Sequence, residues 1–306
     1  MRLGQVVEVG LRILRRHWPV MLILALLFAG PGALLTSATG LRFTDVAADI
    51  LGVQDGLIDT DAVVTEAEFE RSLEAALPFL GATFLASLLL SIGALVFAVV
   101  VADDYHARTP ELGACLRGGL RRAPSALVFM LATSFIVEGV MLAGQLTMTA
   151  ATLNLPPTSI TAGGPGVFLA LVAGVAMVVA LVYLSMRWAP AFPAMVEEDI
   201  GAGAALRRSW HLSGDNVWRT FVVLLFAGVI AALGGSVISQ LASVVLVSGL
   251  APALGLDEVV ASTIALALGT VLLAPLMPVL TAVLYFDLRA RRDVAGPAPA
   301  AEQPSR

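Results

Sequence analysis

Apolar residues run along this chain in six long blocks that carry almost no charge, separated by stretches rich either in arginine or in aspartate and glutamate. The blocks cover roughly residues 18–38, 77–102, 125–151, 166–186, 220–250 and 259–286. Crossing a hydrocarbon core of ~30 Å takes about 20 helical residues. In lipid only helices and closed barrels satisfy their own backbone groups. The pattern predicts an all-α polytopic membrane bundle of six transmembrane helices, occupying residues 1–292 as a single domain.

The polar segments between the blocks alternate in sign. Sixteen of the eighteen basic residues fall before the first block, between the second and third, between the fourth and fifth, and after the sixth; only Arg42 and Arg71 fall in the other set of connections. Arginine accumulates on the cytoplasmic side of membrane proteins, so both termini are expected there, in a multi-pass protein of a cell inner (plasma) membrane. A cleavable leader is the rival reading of the first block. The outer connections hold eleven acidic residues against those two arginines, most of them in a loop at 39–76. Within it Thr65-Glu-Ala-Glu68 fits a capping box leading into the second span. Asp55, Asp59 and Asp61 lack the ligand spacing of a calcium loop, so no metal is expected there. The Pro/Ala-rich tail at 293–306 reads as disordered.

Three stretches resemble one another: Gly4 to Gly30, Gly113 to Ile136 and Gly201 to Ile230. Each is a short basic helix leading into a span, and each pair of spans ends on a similar polar group, as in Asp104-Tyr-His-Ala-Arg108 and Asp287-Leu-Arg-Ala-Arg291. Three two-helix units in parallel orientation would relate by an axis along the membrane normal. The alternative is that basic lead-in helices recur only because that membrane face favours arginine. In the first of them Val7, Leu11 and Leu14 share one side. In the third, Ile200, Leu206 and Trp210 face lipid or protein, with Arg207, Arg208 and His211 near the head groups. Trp218 and Arg219 then anchor the fifth span at the interface.

Composition agrees with this class, with 58% hydrophobic residues in 306 and a mean hydropathy of +0.90. The single cysteine, Cys115, excludes an intrachain disulfide. Lysine is absent, which removes the P-loop lysine, Schiff-base chemistry and a Ser-Lys dyad. His17, His106 and His211 lack ligand-like neighbours at helical spacing. No cofactor, metal or nucleic-acid partner is expected; membrane lipids and other membrane proteins are.

Glu138 stands alone in the third block, where a charge costs about 2.5–3.5 kcal/mol even on lenient insertion scales. Ser134 and Gln145 lie on roughly the same side of that helix, a polar stripe suited to the bundle interior. It serves either as interhelical glue or as a path for a substrate, proton or ion. Pro275 and Pro278 predict a kink in the sixth span. Asp103, Asp104, Arg187, Asp287 and Arg291, close to span ends, are candidates for inner-face ion pairs between units.

The segment Glu198-Asp-Ile-Gly-Ala-Gly-Ala-Ala-Leu-Arg-Arg-Ser-Trp-His-Leu-Ser-Gly-Asp-Asn-Val-Trp-Arg219 and the closing Leu284-Tyr-Phe-Asp-Leu-Arg-Ala-Arg291 resemble the membrane domain of bacterial glycerophosphoryl diester phosphodiesterases and related stand-alone bacterial membrane proteins. The resemblance implies no catalysis. The family's active site belongs to a soluble barrel with a His-Arg motif, and no His-Arg pair occurs here. The expectation is a non-catalytic scaffold, regulator or membrane partner in bacterial envelope or lipid processes. The alternative is a transporter or lipid-handling permease using Glu138 and the broken sixth span.

Overall fold

A computed structural model describes residues 3–50, 66–153 and 165–294. Asp55, Asp59, Asp61, Thr65 and the tail beyond 294 lie outside the described residues. The chain is helical, with no strand among the described residues, and six helices there are long and apolar enough to cross a membrane.

The first span is α2 (Trp18–Ile50), preceded by the lead-in helix α1 (Leu3–Arg16). The second is α3 (Glu66–Tyr105). Both run well past their apolar blocks, so residues at the two ends of the acidic outer loop are helical. After the short α4 (Leu112–Leu120), α5 (Ala123–Leu153) and α6 (Pro165–Trp188) form the second pair. The chain then turns through α7 (Ala191–Glu197) into α8 (Ala202–Ser213). The fifth span, α9 (Val217–Ser243), continues through a π-helical turn at Val244–Leu250 into α10 (Ala251–Leu254).

Gly255, at φ +65°, stops α10 in the left-handed region that glycine adopts without strain. Asp257 then accepts the Val259 backbone N–H at 2.7 Å and starts the sixth span, α11 (Glu258–Leu273). Pro275 lacks a donor and crowds the preceding turn. The helix therefore breaks at Ala274 and Pro275 and resumes as α12 (Leu276–Val294), with the Val279 N–H bonding back to Pro275 O at 3.1 Å.

The spans pack as three hairpins, α2 with α3, α5 with α6, and α9 with α11 and α12. Each lead-in helix rests on the exit of the preceding hairpin: α4 on α3, α8 on α6 and α7, and α1 on α12. The last of these closes the ring, as three parallel units around one axis would. Lipid is as apolar as leucine, so close packing rather than hydrophobicity holds such helices together. A Cβ on Gly119 or Gly10 would overlap Val96 or Leu280, which shows how closely α4 and α1 approach their supports.

The face of α1 that packs is Val6, Gly10 and Ile13, flanked by the half-buried Val9 and Leu14, while Leu11 is 44% exposed. The tightest core lies at the arginine-rich end, where Leu24, Val96, Val100, Leu280, Leu284 and Tyr285 are fully buried.

Candidate functional site

The polar groups at the arginine-rich end interlock. Asp104, at the end of α3, lies 3.2 Å from Arg16 Nη1 and 2.8 Å from His17 Nε2, both at the start of the first span. Asp287 occupies the comparable place on α12. It meets Arg219 Nη2, from the start of the fifth span, at 2.8 Å and Arg291 Nε at 3.0 Å. Asp199, at φ +49°, holds Arg121 and Arg122 at 3.1 and 2.7 Å, and Arg122 also donates to the carbonyls of Met195 and Gly118. In the first and third units the start of the ingoing span is thus tied to an acid at the exit, and in the second to an acid in the connection past α7.

Glu197 and Glu198 bind these ties into a layer. Glu198 Oε1 accepts from Arg208 Nε at 2.8 Å and from the Tyr285 hydroxyl at 2.7 Å, and Glu197 Oε1 accepts from Arg289 Nη1 at 3.0 Å, with His106 Nε2 3.2 Å away. Arg208 and Arg219, expected at the head groups, turn inward instead because these carboxylates are there. Asp103 accepts a weak hydrogen bond from the Cys115 thiol, Sγ to Oδ2 3.8 Å. Burial, then the Asp103 charge, pushes that thiol from its ordinary 9.0 up to about 12. A protonated, buried thiol is a poor nucleophile.

Arg187 stands apart. Its Nε and Nη2 donate to the Tyr183 hydroxyl at 2.9 and 2.6 Å, its Nη1 donates to the Trp210 carbonyl at 3.0 Å, and its guanidinium lies over both rings. No carboxylate lies within ion-pair distance among the described residues. Of the other anchor candidates, Arg207 is exposed, Trp210 is half exposed, and Trp218 is 72% exposed at the start of α9.

Glu138 is not in the bundle interior. It lies halfway along α5, fifteen residues or about 22 Å from Ala123, and it and Ser134 are exposed on the outer face. The side chain of Gln145 lies outside the described residues. Its exposed neighbours Val128, Leu131, Phe135 and Leu142 complete a stripe with alternating spacings of three and four residues, and Phe135 is 82% exposed. That is the spacing of a helix-pairing seam. The signal was present in the sequence, although the face it occupies was not.

Glu138 lines neither of two open clefts between the spans. One, of about 600 Å³, lies between α2, α3, α9, α11 and α12, with Ser236, Ser239 and Thr270 beside Met277 and Pro278 at the helix break. A second, of about 300 Å³, shares Met277 and Pro278 and reaches Phe129 and Trp188. Among the described residues no group of three or more His, Cys, Asp or Glu side chains is placed to hold a metal.

Residues 167–288 match the family model for the membrane domain of glycerophosphoryl diester phosphodiesterase. The match runs from α6 to α12 and takes in Arg187, Glu197, Glu198, Arg219 and Asp287, while Arg16, His17, Asp104, Arg121 and Arg122 lie outside it. No curated protein and no solved structure matches the chain.

Proposed function

We propose that this multi-pass membrane protein is a non-catalytic scaffold of a bacterial plasma membrane, docking a transmembrane helix of another chain along α5. The observation that carries the reading is Glu138 on the outer face of the bundle, at the centre of an apolar seam. A carboxyl facing hydrocarbon is costly unless something covers it. A polar group at one seam position fixes register in paired helices. The ion-pair layer supports the same reading, because its titratable groups are engaged in tying the three hairpins together. The arginine-rich end then faces the cytoplasm.

The test is a photo-crosslinking scan along residues 127–142 in native membranes. A docked helix gives protein adducts at 128, 131, 135 and 142 and none at Phe129, which packs inward. An adduct of twice the chain's mass identifies a second copy as the occupant. Adducts lost in Glu138→Leu but kept in Glu138→Gln assign the register to a hydrogen-bonding carboxyl. A seam that yields only lipid adducts refutes docking.

The Pro278 cavity favours a second reading, passage of a lipid or solute through the broken sixth span. It does so without Glu138, which lies elsewhere. Phospholipid movement between the leaflets of reconstituted vesicles, abolished by Gly235→Leu at the cavity wall, would support it; no movement above empty vesicles would end it.

A further inference from the structure

The groove between α6 and α9 is lateral and about 610 Å³ in volume. Its walls are apolar: Val178, Val179, Val182 and Met186 on one side, Val217 and Phe221 on the other. At the arginine-rich end it is bordered by Tyr183 and the exposed Trp218, rings of the kind that sit at head-group depth.

Beyond that border stand two guanidinium groups. Arg187 donates to the carbonyl of Trp210, and Arg292 donates to the next carbonyl, that of His211. Both carbonyls belong to the last turn of α8, so one helix end holds both cations. Among the described residues neither meets a carboxylate. Arg16, Arg121, Arg122, Arg208, Arg219, Arg289 and Arg291, at the same end, do, whereas Arg15, Arg108, Arg117 and Arg207 share the lack of a carboxylate but line no groove.

Capping the α8 carbonyls accounts for part of this arrangement, since cations are favoured at a helix C-terminus. It does not account for the apolar groove opening beside them. Nor does it exhaust Arg187. Three of its five N–H groups go to Tyr183 and Trp210, leaving two to donate from a guanidinium already oriented by two aromatic rings. A held guanidinium loses little freedom when it binds a phosphate.

We propose that Arg187 and Arg292 bind the phosphate of an anionic phospholipid whose acyl chain lies in the α6–α9 groove. The paired positive charge selects a head group without a compensating ammonium. The apolar walls select a lipid over free phosphate.

Native mass spectrometry of the full chain in detergent, offered equal phosphatidylglycerol and phosphatidylcholine, tests this. The expected result is preferential retention of phosphatidylglycerol. Removing both charges in Arg187→Gln/Arg292→Gln lowers that retention about tenfold to thirtyfold. Val182→Trp, which fills the groove and leaves both arginines, lowers it as well, and this variant decides the matter if the double substitution does not fold. Arg207→Gln, an exposed charge on α8 away from the groove, changes it little. Equal retention of the two lipids, an effect of Arg207→Gln as large as that of the double variant, or displacement by inorganic phosphate alone would overturn the proposal.

Discussion

Arg219 and Asp287 form a buried ion pair, Nη2 to Oδ2 2.8 Å, whose side chains are 14% and 2% exposed. The pair joins the first turn of α9 to the middle of α12 across the arginine-rich end of one hairpin. Asp287→Ala removes the buried carboxylate that Arg219 and Arg291 share, which costs about 3–5 kcal/mol. Thermal unfolding of the purified protein in detergent should register it. The double variant Asp287→Leu/Arg219→Leu should recover much of the loss, because the buried charges go together and only the more exposed Arg291 is left without its carboxylate. A double variant as unstable as the single one would show that the pair matters beyond its own charge balance.

Where α9 crosses α11, two glycines differ in what they tolerate. A Cβ on Gly269 would overlap Ser239 Oγ and the Gly235 carbonyl, whereas one on Gly235 would meet Gly269 O at 3.6 Å, an ordinary contact. Gly269→Ala is expected to destabilise by about 1–3 kcal/mol and Gly235→Ala to be close to neutral. Comparing the melting temperatures of the two variants checks the closeness of this crossing.

The turn after α3 carries Ala107 at φ +54°. Its N–H and that of Arg108 bond back to the carbonyls of Asp104 and Asp103 at 3.1 and 2.8 Å. Left-handed backbone costs a residue with a Cβ about 1–2 kcal/mol, part of which glycine returns as unfolded-chain entropy. Ala107→Gly should therefore stabilise by up to about 1 kcal/mol. A fall in melting temperature would refute the strain.

Cys115 gives a pH dependence. Its folded pKa is raised from 9.0 to about 12, so the folded chain holds the proton more tightly than the unfolded chain. The contribution to stability is complete below pH ~9 and is lost as pH rises towards ~12. Denaturation midpoints measured across that range should fall more steeply for the wild type than for Cys115→Ala. At neutral pH the native thiol should resist maleimide and react once the protein is unfolded; rapid native labelling would contradict the burial.

The sequence by itself determined the spans, their number, the break at Pro275 and the three lead-in helices. Each follows from local chemistry: an apolar run long enough to cross lipid, a missing N–H, or an arginine-rich start. It also indicated which residues carry charge at the span ends. Their partners were less legible, because Glu197, Glu198 and Asp199 are three adjacent acids in a connection, and nothing local says that they gather arginines and a tyrosine from separate helices.

Only the tertiary structure decided which face of each helix meets protein. On α1, Val7 and Leu11 are as apolar as Val6 and Ile13. The close approach of Gly10 to Leu280 turned the second set inward. On α5, the helical period placed Ser134 and Glu138 on one side, but not on the inner side. The physical reason is common to both cases. In a membrane the surroundings of the bundle are as apolar as its core, so hydropathy gives the period of a helix without its orientation, which is set by packing between neighbours.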